Sequence, residues 1–174
     1  EAADMAHVYS HLFGLPATGL RYFTVYGPWG RPDMSPILFA RAIMEGQPID
    51  VFNHGDMQRD FTYIDDVVEG TLRVLDEPAV ADPAFAARAP DPATSWAPWR
   101  VYNIGNHVPV LLLDYIAALE RALGKTAIKV MKPMQPGDVR ATYAETARLA
   151  DAVGFAPSTP LEEGLAKFAR WFKS

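Results

Sequence analysis

Short runs of β-branched and aromatic residues alternate along this chain with amphipathic stretches of helical period, and that alternation restricts it to an α/β architecture. Tyr22-Phe23-Thr24-Val25-Tyr26 reads as a buried strand near residues 20–26. Gly27-Pro28-Trp29-Gly30-Arg31-Pro32 then stops it, because glycine and proline punctuate the backbone. Before it, residues 2–13 read as a helix with Met5, Val8 and Leu12 on one face and Gly14 as the stop. After it, Ser35-Pro36 reads as the N-cap and first position of a helix ending at Gly46.

The pattern continues with a short strand at 49–52, a turn at 53–55 and an extended stretch at 61–64. Asp65 is placed to cap a helix that runs to about Asp76, where Glu77-Pro78 halts it. Residues 101–104 predict a strand. Leu112, Ile116, Leu119 and Leu123 predict a helix over 112–123 with one apolar stripe, ended by Gly124. A strand at 127–131, a loop at 135–138 and a helix at 145–153 follow. Thr159-Pro160-Leu161-Glu162 has the form of a capping box, opening a last helix whose face is Leu161, Leu165, Phe168 and Phe172.

A length of 174 residues suits one ordinary domain with a real core. The Pro/Ala-rich segment 77–99, with Trp96 and Trp99 near its end, is expected to be a long surface excursion. Net charge is −5 with the basic residues scattered, which argues against nucleic acid or an anionic membrane as the main partner and leaves room for an anionic small ligand. The absence of cysteine excludes disulfides and thiolate metal sites. No apolar run approaches the roughly 20 residues of a membrane span. With no signal peptide visible and Glu1 as the first residue, the expectation is a cytoplasmic protein, of which this chain is a fragment.

A strand that stops in a Gly/Pro loop is where open α/β sheets bind ligands, which draws attention to Thr24, Tyr26 and Arg31. Four further segments stand out: Gly55-Asp56-Met57-Gln58-Arg59-Asp60-Phe61-Thr62-Tyr63-Ile64-Asp65-Asp66; Tyr102-Asn103-Ile104-Gly105-Asn106; Met134-Gln135-Pro136-Gly137-Asp138-Val139; and Gly154-Phe155-x-Pro157-x-Thr159. In this order they resemble the extended short-chain dehydrogenase/reductase superfamily, and within it the nucleotide-sugar epimerases acting on UDP-glucuronate. The resemblance implies the C-terminal, substrate-binding portion of a Rossmann-type enzyme, lacking the N-terminal nucleotide-binding half. Residues 1–26 would be a helix and strand of the truncated Rossmann part. Residues 27–174 would be mainly a nucleotide-sugar-binding domain with late sheet elements.

Arg59 offers a planar fork of donors suited to phosphate oxygens, although on the residues alone a surface pair with Asp56 or Asp60 is the commoner fate. The resemblance implies contact with the substrate's diphosphate. Asp138 reads as a turn aspartate, and the resemblance puts it near the nucleotide ribose and able to orient Arg59. Thr24 matches the threonine found in the relatives acting on UDP-glucuronate, where many others have asparagine. Its hydroxyl, with Arg31, would meet the sugar and its carboxylate. Phe52 and Asn53 match a region beside the uracil, where an aromatic face could stack on the base; core packing explains Phe52 equally well. Asp65-Asp66 reads as the acidic start of a helix. His7 and His11 have i, i+4 spacing, yet with no Glu between them and no third ligand they read as a packed or surface pair rather than a metal site.

Two things are missing from the sequence. No G-x-G-x-x-G occurs, and none of the seven tyrosines has a lysine four residues later, so neither a dinucleotide cradle nor the superfamily's Tyr-x-x-x-Lys pair is present. In close relatives that lysine lies a few residues before the segment resembling Met5-Ala6-His7. The resemblance therefore implies NAD in a homodimeric parent that oxidises C4 of the sugar, lets the keto intermediate rotate and re-reduces it. This chain would carry no catalytic or cofactor-binding residue and would be inactive alone. Arg140 stands where proline is usual and Glu145 where aspartate is usual. The rival readings are a nucleotide-sugar decarboxylase or dehydratase of the same superfamily, a non-catalytic UDP-sugar-binding module, and a fragment that self-associates through its first helix and strand.

Overall fold

The computed structural model describes residues 2–174. In chain order the elements are α1 (Ala2–Phe13), β1 (Ala17–Tyr22), β2 (Thr24–Tyr26), α2 (Ser35–Glu45), β3 (Pro48–Val51), β4 (Gln58–Tyr63), α3 (Ile64–Asp76), β5 (Trp99–Ile104), β6 (Pro109–Leu111), α4 (Leu112–Leu123), β7 (Ile128–Met131), α5 (Ala147–Val153) and α6 (Leu161–Lys173). The expected α/β alternation is present, and three strand pairs are parallel: β1 with β5, β2 with β4, and β3 with β7. The short β6 adds to the other edge of β4 in antiparallel sense.

The single strand expected at 20–26 is two strands. Arg21 pairs with Asn103 and Tyr22 with Ile104, whereas Thr24 pairs with Phe61 and Tyr26 with Tyr63. The switch occurs at Phe23, whose N–H still reaches the Ile104 carbonyl at 3.2 Å. Each half pairs with a different neighbour, so of residues 20–26 only Tyr26 is buried.

The core forms where the two clearest helical stripes meet the strands. Leu112, Ile116, Leu119 and Leu123 of α4 are all buried, as the period predicts, and they face Leu165 and Phe168 of α6. Phe61 stacks on Tyr115 with ring centroids 3.9 Å apart and Tyr26 packs edge-on to both. Nineteen buried residues belong to this cluster; a second one, beside β1 and β5, has only Val67, Val74, Ile104 and Leu149.

Several boundaries differ from the sequence reading for local reasons. Ser35 lies inside α2, with Met34 as the N-cap and Pro36 in the first turn. Thr159 does not cap α6. Its hydroxyl and N–H donate instead to the Asp66 carboxylate at 2.9 and 2.8 Å, and Pro160 takes the cap position. β4 starts at Gln58 rather than near 61, and β6 is a strand the sequence did not signal, being three residues long with a proline. Phe52 leaves β3 and opens a 3-10 turn over Phe52–Gly55, in which Asn53 and His54 both take positive φ.

Residues 77–98 form no helix or extended strand and are tied down locally: the Asp82 N–H donates to Ser95 O at 2.8 Å and the Trp96 indole to Phe85 O at 3.1 Å. The first helix meets this segment through polar contacts, Ser10 to Pro98 O at 3.0 Å and His7 to Ser95 at 2.8 Å. The apolar face predicted for α1 is not covered. Met5 is 61% exposed, Val8 49% and Leu12 64%.

Candidate functional site

The start of β4 brings distant residues together. The Gln58 N–H donates to Arg140 O at 2.8 Å and the Thr142 N–H to Gln58 O at 3.2 Å, so the loop after β7 runs alongside the strand. In that loop Gly137 takes φ 83, a left-handed conformation suited to glycine, just before Asp138. Arg59 then reaches Asp138: Nη2 donates to Oδ1 at 2.8 Å, while Nη1 donates to the carbonyls of Gln58 at 2.8 Å and Arg140 at 3.4 Å. Neither acid next to Arg59 in sequence is its partner. Asp56 instead meets Arg140 at 2.9 Å.

Asp60 is wholly buried and has a different task. Its carboxylate accepts the N–H groups of Asn106 at 2.7 Å, His107 at 3.0 Å and Ala144 at 3.1 Å, with the Thr62 hydroxyl at 3.4 Å. It thereby ties β4 to the turn after β5 and to the segment entering α5. Gly105 permits this approach, since a Cβ there would collide with Ala144 and lie 2.9 Å from Asp60 Oδ2. Sequence reasoning missed Asp60. The available signal was the strand's period of two, which puts residue 60 on the face opposite Arg59 and Phe61.

Thr24 is half-buried in register with Phe61, two residues along β4 from Arg59, or roughly 7 Å of strand rise. Arg31 lies elsewhere, on a cleft of about 450 Å³ lined by Phe23, Val25, Tyr26, Trp29, Arg31 and Met34 among others. Residues on both sides of Thr24 line this cleft, Phe23 and Val25 among them, but Thr24 itself does not. The structure therefore does not bring Thr24 and Arg31 into one cavity. Arg31 grips Asp33 through two bonds of 3.1 and 2.5 Å on the open surface, which holds the Asp33 carboxyl below the usual carboxylate range.

Phe52 is half-buried against the main core, and the Asn53 amide donates to Asp56 O at 2.7 Å, bracing its own turn. Through Asp56 that turn joins Arg140, whose carbonyl in turn meets Arg59, the partner of Asp138. A larger cleft of about 640 Å³, between the β5–β6 turn, α4 and the start of α6, contains none of the residues expected at the site. The Tyr26 hydroxyl donates to Leu161 O at 3.4 Å; burial first, then Tyr63 and nearby acids, pushes its pKa far above the ordinary tyrosine range, so it stays protonated. His7 and His11 have ring centroids 6.5 Å apart, and no group of three metal-ligating side chains occurs among the described residues. No helix among them is long and apolar enough to cross a membrane. The sequence contains no G-x-G-x-x-G segment of the kind that cradles a dinucleotide's phosphates.

Residues 1–105 match the NAD dependent epimerase/dehydratase family. The chain is 56% identical over 169 residues to an uncharacterized 37.6 kDa protein of Escherichia coli O111:H-, which covers 97% of this chain and 51% of that protein. It is 47% identical over 169 residues to a probable UDP-glucuronate 4-epimerase of Rhizobium meliloti, covering 97% of this chain and 50% of the relative. Among solved structures it is similar to the UDP-glucuronic acid 4-epimerase from Bacillus cereus in complex with UDP-glucuronic acid and NAD. That match has a TM-score of 0.80 and 32% identity, covering 98% of this chain and 49% of the other. The chain thus spans about half the length of the curated relatives it matches. It belongs to the NAD-dependent epimerase/dehydratase family.

Proposed function

We propose that this chain is the nucleotide-sugar-binding portion of an NAD-dependent UDP-glucuronate 4-epimerase, a homodimer in its full-length form. The observation that carries this reading is Arg59, whose guanidinium is already oriented by Asp138 and two carbonyls at the edge of β4. A cation fixed before the ligand arrives loses little side-chain entropy when it takes up a diphosphate. The relatives named above as UDP-glucuronate epimerases support the choice of sugar nucleotide.

In this reading Arg59 binds the diphosphate and Asp138 holds Arg59 while facing the ribose. Phe52 and Asn53 flank the uracil. Thr24 bonds the sugar, and Arg31 meets the sugar carboxylate only by leaving Asp33 and swinging across from its separate cleft. The exposed Arg31–Asp33 pair is easily exchanged, because surface ion pairs contribute about 1 kcal/mol or less. The chain's share of the chemistry is to bind and orient. Hydride and proton transfer need groups it does not contain.

Calorimetric titration of the purified chain tests this. UDP-glucuronate is expected to bind, and Arg59→Ala to weaken it at least about tenfold, as loss of a charge-assisted hydrogen bond does. Arg31→Ala is expected to abolish preference for UDP-glucuronate over UDP-glucose. Unchanged affinity in Arg59→Ala overturns the reading. So does formation of UDP-galacturonate by the 174 residues alone, since the reading assigns them no catalytic group.

A further inference from the structure

We propose that Arg140 is a second guanidinium for the ligand's diphosphate, held by Asp56 until the phosphate displaces that carboxylate. The inference rests on the functional reading above and extends it to a residue that nothing in that reading uses. Its basis is the adjacency of two arginines of unequal burial. The Arg140 carbonyl accepts both the Gln58 N–H and Arg59 Nη1, so the Arg140 backbone lies against the Arg59 guanidinium. Each has its own carboxylate, Asp138 for Arg59 and Asp56 for Arg140.

The two pairs differ in how easily they open. The Arg59–Asp138 side chains are 18% and 31% exposed, and further bonds brace both partners. The Arg140–Asp56 side chains are 72% and 57% exposed. An ion pair so open to water contributes about 1 kcal/mol or less, so replacing its carboxylate with a phosphate costs little. Releasing the Asp56 side chain leaves its turn intact, because the Asn53 amide is bonded to the Asp56 backbone carbonyl.

Charge favours a second arginine. Arg59, Arg140, Asp56 and Asp138 sum to zero, and a diphosphate approaching Arg59 alone also meets the Asp138 carboxylate. When Asp56 turns into solvent, the remaining three groups carry a net positive charge, and Arg140 presents a fork that matches phosphate oxygens.

Affinities for UDP and for uridine, measured by calorimetry, decide the matter. Arg140→Ala is expected to weaken UDP about fivefold and leave uridine unchanged, with Arg140→Lys recovering part of the loss. Asp56→Asn removes the competitor and is expected to tighten UDP about twofold. If Arg140→Ala binds UDP like the unsubstituted chain, or loses UDP and uridine equally, the inference fails while an Arg59→Ala loss preserves the functional reading. Weaker UDP binding in Asp56→Asn also overturns it. If Arg59→Ala leaves UDP affinity unchanged, both fail together.

Discussion

Two amphipathic helices of equal length, α1 and α4, have opposite fates in this molecule. Each spans twelve residues with an apolar stripe. On α4 the stripe is sealed: Ile116 and Leu119 have no exposure and Leu123 has 4%. On α1, Leu12 is 64% exposed, and the one buried residue is Ser10. The same contrast separates the nineteen-residue core around α4 from the four-residue cluster beside β1 and β5. Helical period thus reports that a segment is a helix with a face to cover. Whether the face is covered depends on residues far away in the chain.

Asp60 joins the two regions, so its loss should have the largest effect. Asp60→Ala leaves the buried Ala144 N–H and the partly buried N–H groups of Asn106 and His107 without their acceptor, and is expected to cost about 4 kcal/mol in chemical denaturation. Hydrogen exchange of the same variant should show β5 losing protection before α4 does; equal loss in both would mean the regions unfold as one. Leu119→Ala attacks the sealed side and should cost about 3 kcal/mol.

A smaller effect is expected from acid. Burial opposes ionisation of Glu120, but the Lys129 ammonium and the Ala127 N–H outweigh it and hold the carboxyl below the usual range. A carboxyl lowered in the folded state stabilises the fold above its unfolded value of about 4.3, and that contribution is lost as pH falls through the folded value. The main core should lose stability over that acid range, and Glu120→Gln should flatten the loss. The smallest change is the most telling for the comparison. Leu12→Gln should alter stability by no more than about 0.5 kcal/mol, a small fraction of the Leu119→Ala effect. A Leu12 effect equal to that of Leu119 would break the contrast.

Much of the fold was legible in the sequence. The stops at Gly14, Gly46 and Gly124 are each in the left-handed region that ends helices, at φ 65, 69 and 71. The helix at 112–123 buries the face its spacing predicts, and in the helix at 161–173 Leu165 and Phe168 are buried with Leu161 and Phe172 partly so. The candidate site was legible only as residue types: an arginine and an aspartate suited to a nucleotide. Their grouping across 79 residues follows from no local pattern; the family resemblance supplied it, and the 2.8 Å Arg59–Asp138 bond agrees with it. The same distance effect misled the capping of α6, where Asp66 draws Thr159 away across 93 residues.

The sequence by itself determined where helices and strands lie and where they stop, since period, proline placement and left-handed glycines act within a few residues. Only the tertiary structure decided that Arg140 meets Asp56, which carboxylate is buried as a tie between strands, and which apolar faces are sealed. Those outcomes depend on the register of strand pairs. Strand register brings residues together across the whole chain, through backbone bonds that no local pattern encodes.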